Sequence, residues 1–303
     1  MSAPPSIDEG TLVAAIAEAL RAHGQAPDLS DDCGFPSTPT ALVTTDTLVE
    51  GVHFDSAWDS DEHVGAQAAV QNLSDLAASG AGASWLVWSL CLPPAWRDLD
   101  RLRALTTGFA RVASAFGASI LGGNLTRTPG PLVVSVTAGG ALAGDRALRR
   151  DAARVGQTVY VSGRLGDAAL GVLRPSRETR AARHAWRPHL SEAAALSRLS
   201  GPVACMDISD GLLLDATRMA KASGVTLALE TARVPVSTLF AATFGADRRV
   251  ALAGGEDYVL LFTADVPPPF EAWPIGRVVE PLADAPVLLD DAPAPALGWD
   301  HFS

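Results

Sequence analysis

The chain has 303 residues, 48% of them hydrophobic and 19% charged, a composition typical of a soluble globular protein with room for two domains. Its formal net charge of −11 argues against nucleic acid as a partner, because phosphate backbones are bound by basic patches. Lys221 is the single lysine, and nothing matches GxxxxGK(S/T). Neither a P-loop nucleotidase nor a protein kinase can be built from such a sequence, since both place a lysine on the nucleotide phosphates. No apolar stretch is long enough to span a membrane, and the first eight residues lack a basic-then-apolar leader, so a cytoplasmic location is expected. Cys33, Cys91 and Cys205 are odd in number, far apart and set among apolar neighbours, which reads as reduced, buried thiols.

Apolar residues at helical spacing predict an amphipathic helix over 9–23, followed by a loop that carries Asp31-Asp32. A strand ends at Thr44-Thr45-Asp46. Ser60 and Asp61 then serve as N-cap candidates for a long helix reaching about residue 79. A strand over 84–92 stops at two prolines, a helix covers 99–115, and a short buried strand over 118–121 stops at Gly122-Gly123-Asn124. A further strand over 131–142 completes a first unit, 1–145, in which helices pack on one face of a mixed sheet. The second unit, 146–303, begins in a turn-rich stretch. Strands follow at 157–162, 203–207 and 258–263, and helices start at 166, 191 and beyond Ser209-Asp210-Gly211. An arginine-rich polar region separates the first two of these helices.

The acidic corners carry the chemistry. Asp31-Asp32, Asp46, Asp75, Asp207-Ile208-Ser209-Asp210 and Glu256-Asp257 supply the oxygen ligands that hard divalent cations need, on backbone able to bend around a metal. In 207–211 the strand ends at Asp207, Ser209 or Asp210 caps the next helix, and Gly211 permits close approach. A plain capped corner would need fewer carboxylates. Thr44-Thr45-Asp46 reads equally well as a turn former, and His53 as an ordinary surface histidine or a contact for a phosphate or an aminopyrimidine. Asn72, Ser74 and Asp75 are poor helix formers inside an apolar helix, which marks a polar patch facing something. The glycine pairs at 122–123 and 254–255 are weak phosphate-cradle signals, and Arg150 is by default a solvated residue that could reach a nucleotide phosphate.

Taken in order, these segments resemble the thiamine-monophosphate kinases, in the superfamily that also holds aminoimidazole ribonucleotide synthetase and selenophosphate synthetase. The matching residues are Ser30-Asp31-Asp32-Cys33, Thr44 to Phe54, Asn72 to Ala78, Gly122-Gly123-Asn124, Asp207 to Leu212, Gly254 to Tyr258 and Gly298-Trp299-Asp300-His301-Phe302. The resemblance implies an α/β (α+β) protein of two domains. Its N-terminal mixed-sheet domain would pair in a homodimer to form a β-barrel, and its C-terminal domain would be of the aminoimidazole ribonucleotide synthetase type. It further implies direct γ-phosphoryl transfer from ATP to thiamine monophosphate, assisted by several Mg²⁺ ions. On the family pattern Asp31, Thr44, Thr45, Asp46, Asp75, Asn124, Asp207 and Asp210 would hold the metals, with Asp75 and Asp210 closest to the chemistry. Gly123, Asn124, Arg150 and Ser209 would hold the nucleotide, and His53, Glu256 and Trp299 the thiamine monophosphate.

Two positions depart from the pattern: Asn124 stands where the family usually has Asp, and Ser30 where it has Gly. The amide brings no negative charge, so an active enzyme with a raised Mg²⁺ requirement is expected. Two other readings are open to such a chain. One is a related enzyme acting on another small phosphate or acid. The other is a catalytically impaired protein that only binds nucleotide or thiamine phosphate.

Overall fold

The computed structural model describes Thr11 and residues 41–301. Apart from Thr11, the expected opening helix and the loop with Ser30, Asp31, Asp32 and Cys33 lie outside the described residues.

Four strands form the first sheet: β1 (Leu42–Val49), β2 (Trp85–Leu92), β3 (Ser119–Arg127) and β4 (Val133–Gly140), in the order β1-β4-β2-β3. β2 and β3 run parallel and the other pairs antiparallel, which makes the sheet mixed. Strand alternation turns Leu42, Leu48, Leu86, Leu90, Val134 and Val136 inward. That face packs on helices α1 (Asp61–Ala78) and α2 (Leu99–Ala115), with Trp88 stacked on Phe109 at 4.4 Å between ring centroids. α1 begins where the sequence places it, with Ser60 accepting the His63 amide hydrogen. The two helices touch backbone to backbone. A Cβ on Gly65 would lie 1.9 Å from the Leu105 carbonyl oxygen, and one on Gly108 would lie 1.8 Å from that of Glu62.

The second sheet has seven strands: β5 (Thr158–Val161), β6 (Ala204–Asp207), β7 (Thr226–Leu229), β8 (Leu260–Ala264), β9 (Trp273–Val279), β10 (Val287–Leu289) and β11 (Ala292–Pro293). Their order is β11-β10-β7-β9-β5-β8-β6, with only β7 and β10 parallel. Helices α3 (Asp167–Leu173), α4 (Arg177–Arg183), α5 (Leu190–Leu196), α6 (Leu212–Ser223), α7 (Thr238–Phe244) and α8 (Arg249–Ala253) accompany it. A core of Val159, Val161, Leu170, Met206, Leu213, Leu227, Phe240 and Leu261 lies among these elements.

One expectation about the fold needs correction. The strand after α2 does not stop at Gly122 but continues to Arg127, and all nine of its residues are exposed. Edge pairing with β2, which a buried apolar run of four residues could not reveal, carries it through the glycines. Within the arginine-rich stretch, to which the sequence pattern assigns no element, α4 forms behind a capping box between Ser176 and Thr179. The polar patch expected on α1 does face other parts of the protein, with Ser74 bonded to Asp207 of the second unit. Asn72 and Ser74 are fully buried, between the sheet and the second unit. Among the described residues no helix is long and apolar enough to cross a membrane. Cys205 is buried and Cys91 half-buried, with no disulfide between them.

Candidate active site

β6 and β8 are antiparallel neighbours with Asp207 opposite Leu260, so the loop after β6 and the loop before β8 meet at one end of the sheet. The 207–211 and 254–258 motifs therefore lie side by side. The contact is tight, since a Cβ on Gly255 would come 2.4 Å from the Ser209 carbonyl oxygen. Glu256 donates its amide hydrogen to that same oxygen at 2.7 Å, and Tyr258 donates its amide hydrogen to the Ile208 carbonyl at 2.9 Å. Both residues hold left-handed backbone, φ 65° and 51°, a strain that persists only where surrounding structure over-determines it.

The first unit docks against this end. Ser74 on α1 donates to Asp207 at 2.6 Å, and Thr44 on β1 donates to Asp75 at 2.6 Å. Between the units lies a cleft of about 680 Å³, lined among others by Asp46, His53, Ser209, Asp210, Glu256 and Trp299. Six residues singled out by sequence thus converge from five separate segments.

Each side chain is held in a definite way. Asp46 accepts the Thr47 amide hydrogen at 2.8 Å. Asp46 is solvent-accessible in the cleft, and desolvation by the surrounding protein, with Asp210 facing it, pushes its carboxyl up to about 6. His53 Nδ1 accepts the Val49 amide hydrogen at 3.1 Å, which puts the ring proton on Nε2. Enclosure and the neighbouring His301 lower its pKa, so the ring is a neutral donor. Trp299 donates its amide hydrogen to the Asp210 carbonyl at 2.8 Å and its indole N–H to His301 Nδ1 at 3.1 Å, while the His301 ring lies 5.0 Å from that of His53. The Glu256 carboxylate accepts from Gln67 at 2.7 Å and from Arg183 at 3.1 Å.

Asp210 pairs with Arg218, which also reaches Asp215 at 2.8 Å. The Asp215 carboxylate accepts the amide hydrogens of Asp210 and Gly211, both at 3.1 Å, and so shapes the loop from beneath. Complete burial beside Asp210 pushes Asp215 up to about 7 despite Arg218. Asp215, Arg218, Gln67 and Arg183 were not found by sequence. Asp215 sits one helical turn after Gly211 and reads there as an ordinary first-turn acid, so only its burial reveals the role.

Other expected residues lie elsewhere. Thr45 points to the sheet face opposite Thr44 and Asp46, donating to the Val136 carbonyl and accepting from Thr137. Gly123 and Asn124 are on β3, the edge of the sheet opposite β1, and do not line the cleft. The Arg150 carbonyl accepts from Ser223 on α6, and the residue is not in the cleft lining. Among the described residues no group of three or more His, Cys, Asp or Glu is gathered tightly enough to hold a metal.

The donor chemistry nevertheless suits a hard cation. All candidates are oxygen donors, and Asp46 and Asp210 face each other with like charge that a divalent ion would relieve. The cleft is acidic, with Arg183 the sole arginine lining it among the described residues, so polyanionic ligands could share it only with cations beside them.

Residues 30–142 match the family model "AIR synthase related protein, N-terminal domain". The chain is 35% identical over 251 residues to the thiamine-monophosphate kinase of Salmonella typhimurium, covering 78% of this chain and 75% of that one. To the Aquifex aeolicus enzyme it is 34% identical over 288 residues, covering 86% and 88%. Among solved structures it is similar to AaThiL complexed with AMPPCP and TMP, with a TM-score of 0.87 and 30% identity, covering 100% of this chain and 99% of that one. Sequence relatives and structure agree: the chain belongs to the thiamine-monophosphate kinase family, on the α/β fold of the AIR synthase-related proteins.

Proposed function

We propose that the chain transfers the γ-phosphoryl group of ATP directly to the phosphate of thiamine monophosphate, giving thiamine diphosphate and ADP, in the cytoplasm. The convergence of Asp46 and Asp210 with His53, Glu256 and Trp299 in one cleft carries this reading. The acceptor is already a phosphate oxygen, so the protein must align two polyanions and neutralise them rather than generate a nucleophile. Mg²⁺, when bound, would supply that neutralisation.

In this reading Asp46, Asp75, Asp207 and Asp210, with Asp31 and Thr44, hold the metal ions, and Ser209 contacts the nucleotide. The Trp299 indole, half exposed at the cleft mouth, offers a face to the thiazolium cation or the pyrimidine. Glu256 accepts from the aminopyrimidine, and His53 Nε2–H donates to the substrate. Residues 1–145 form the metal-binding and dimerising domain, and 146–303 the domain that completes the site.

Thr45, Gly123 and Asn124 enter this scheme through dimerisation. β1 and β3 are opposite edges of an open sheet, three strand spacings or about 14 Å apart, so one ion cannot touch both in a single chain. A second copy laying its β3 along β1 would cover the exposed face around Val43, Ile120, Leu121 and Leu125 and close the strands into a barrel. That pairing would bring Asn124 of the partner subunit toward Thr45 and Asp46. Sedimentation is expected to show a dimer at micromolar concentration; a stable monomer with full activity would refute the pairing.

The assay that tests the function combines protein, ATP, Mg²⁺ and thiamine monophosphate, with thiamine diphosphate read by chromatography. Product formation is the expected result, and its absence at every Mg²⁺ concentration would favour a protein that only binds. The pH dependence follows from Asp46, which must be charged to hold a cation. Below about pH 6 protons compete, and the half-saturating Mg²⁺ concentration is expected to rise about tenfold per pH unit. Asn124→Asp restores a charge, and should lower that concentration severalfold at pH 7.5. A Mg²⁺ requirement indifferent both to pH and to this substitution would count against the metal assignment.

A further inference from the structure

Arg183 ends α4 inside the interdomain cleft, and nothing in the sequence distinguishes it from the six other arginines between 164 and 198. Its side chain is only 11% exposed. One terminal nitrogen, Nη2, reaches the Glu256 carboxylate at 3.1 Å, the His53 carbonyl oxygen at 3.4 Å and the Asp59 carboxylate at 4.0 Å. Asp59 in turn accepts from or pairs with His184 at 3.0 Å, and its carboxyl is held below the usual range by His184 and Arg183 against the cost of burial. His184 stacks on His63 of α1, with centroids 3.9 Å apart. The guanidinium therefore joins a segment of the first unit, His53, to a segment of the second, Glu256, and the first unit's Asp59 anchors it.

We infer that Arg183 is a positioning residue for the thiamine-phosphate half of the site, holding the Glu256 carboxylate and the His53 backbone at a fixed separation, with Asp59 holding the guanidinium. This rests on the substrate roles proposed above for Glu256 and His53. The physical case has three parts. First, each Glu256 oxygen takes one fixed donor, Gln67 on Oε1 and Arg183 on Oε2, which orients the carboxylate plane and leaves lone pairs for the substrate. Second, the Glu256 backbone is already held in a strained left-handed conformation, so the side chain's reach into the cleft depends on its partners. Third, the position of Arg183 is itself over-determined, because α3 packs against α4 so closely that a Cβ on Gly171 would lie 2.6 Å from the Arg183 Cβ. A lysine keeps the charge but on a flexible stem with a compact ammonium, without the pre-organised planar geometry that fixes where Nη2 sits.

The test compares wild type with Arg183→Met, Arg183→Lys and Asp59→Asn. Thiamine monophosphate binding is read by quenching of tryptophan fluorescence, AMPPCP binding by calorimetry, and turnover by initial rates with each substrate varied in turn. Arg183→Met is expected to weaken thiamine monophosphate at least tenfold in both Kd and KM, with AMPPCP affinity and the KM for ATP within twofold of wild type. Arg183→Lys should recover part of the loss, and Asp59→Asn should show the same pattern at about threefold. Equal weakening of both ligands, or thiamine monophosphate affinity unchanged in Arg183→Met, overturns the inference. Melting temperatures separate a folding defect from either outcome. A wild type that binds thiamine monophosphate without turnover would refute the proposed reaction while leaving Arg183 testable by affinity alone. A wild type that does not bind it would overturn both.

Discussion

Replacing Asp210 with alanine is expected to lower turnover about 10³-fold at saturating Mg²⁺, the scale on which a removed transition-state charge contact acts. The fold should survive, because Arg218 keeps its 2.8 Å pairing with Asp215, and Asp215 keeps its bond to the Gly211 amide. A second signature separates this from a general loss of structure. Asp210 is one of the groups that push Asp46 up to about 6, so its removal should move the Asp46 titration downward. The residual activity of Asp210→Ala should then keep its Mg²⁺ dependence to a lower pH than wild type. Turnover within tenfold of wild type would remove Asp210 from the metal site.

The largest expected effect on stability lies away from the chemistry, where α1 crosses α2. Gly108→Ala would drive a methyl group to 1.8 Å from the Glu62 carbonyl oxygen, and that atom belongs to backbone that cannot rotate away. The helices must separate, at a cost of about 3 kcal/mol, which lowers Tm by roughly 5–10 °C. Gly65→Ala should cost a similar amount by meeting Leu105. The double substitution should cost less than the sum, since one separation relieves both clashes. Additive losses in thermal unfolding would show that the two contacts are independent. Activity should fall as well, because α1 carries Gln67 and Ser74 into the interdomain contact.

Periodicity in the sequence places α1 and α2 correctly to within a residue at each end, because Ser60 and Asp98 cap them and apolar residues recur at helical spacing. The same pattern reading fails at β3 for a physical reason. A strand exposed on both faces has no burial to impose alternation, and glycines inside it read as a stop. The short helix α4 escapes because its arginines and alanines carry no apolar stripe, although the Ser176 to Thr179 cap is visible in retrospect.

The site divides along the same line. Local chemistry alone marks Asp207, Ser209, Asp210 and Glu256, since carboxylates, hydroxyls and glycines at the ends of apolar runs serve few purposes besides capping and binding. It leaves Asp46 and His53 open, and Trp299 comes from the family resemblance. The motifs in their order carry the resemblance to the family. What the chain could not announce is which oxygens face each other. Strand pleating sends Thr45 to the other face from Asp46, sheet order sets Gly123 and Asn124 on the far edge, and the β6–β8 pairing sets Glu256 beside Asp210. Nor could it single out Arg183, Gln67 and Asp215. Their roles depend on burial and on partners distant along the chain, and a one-dimensional pattern carries neither.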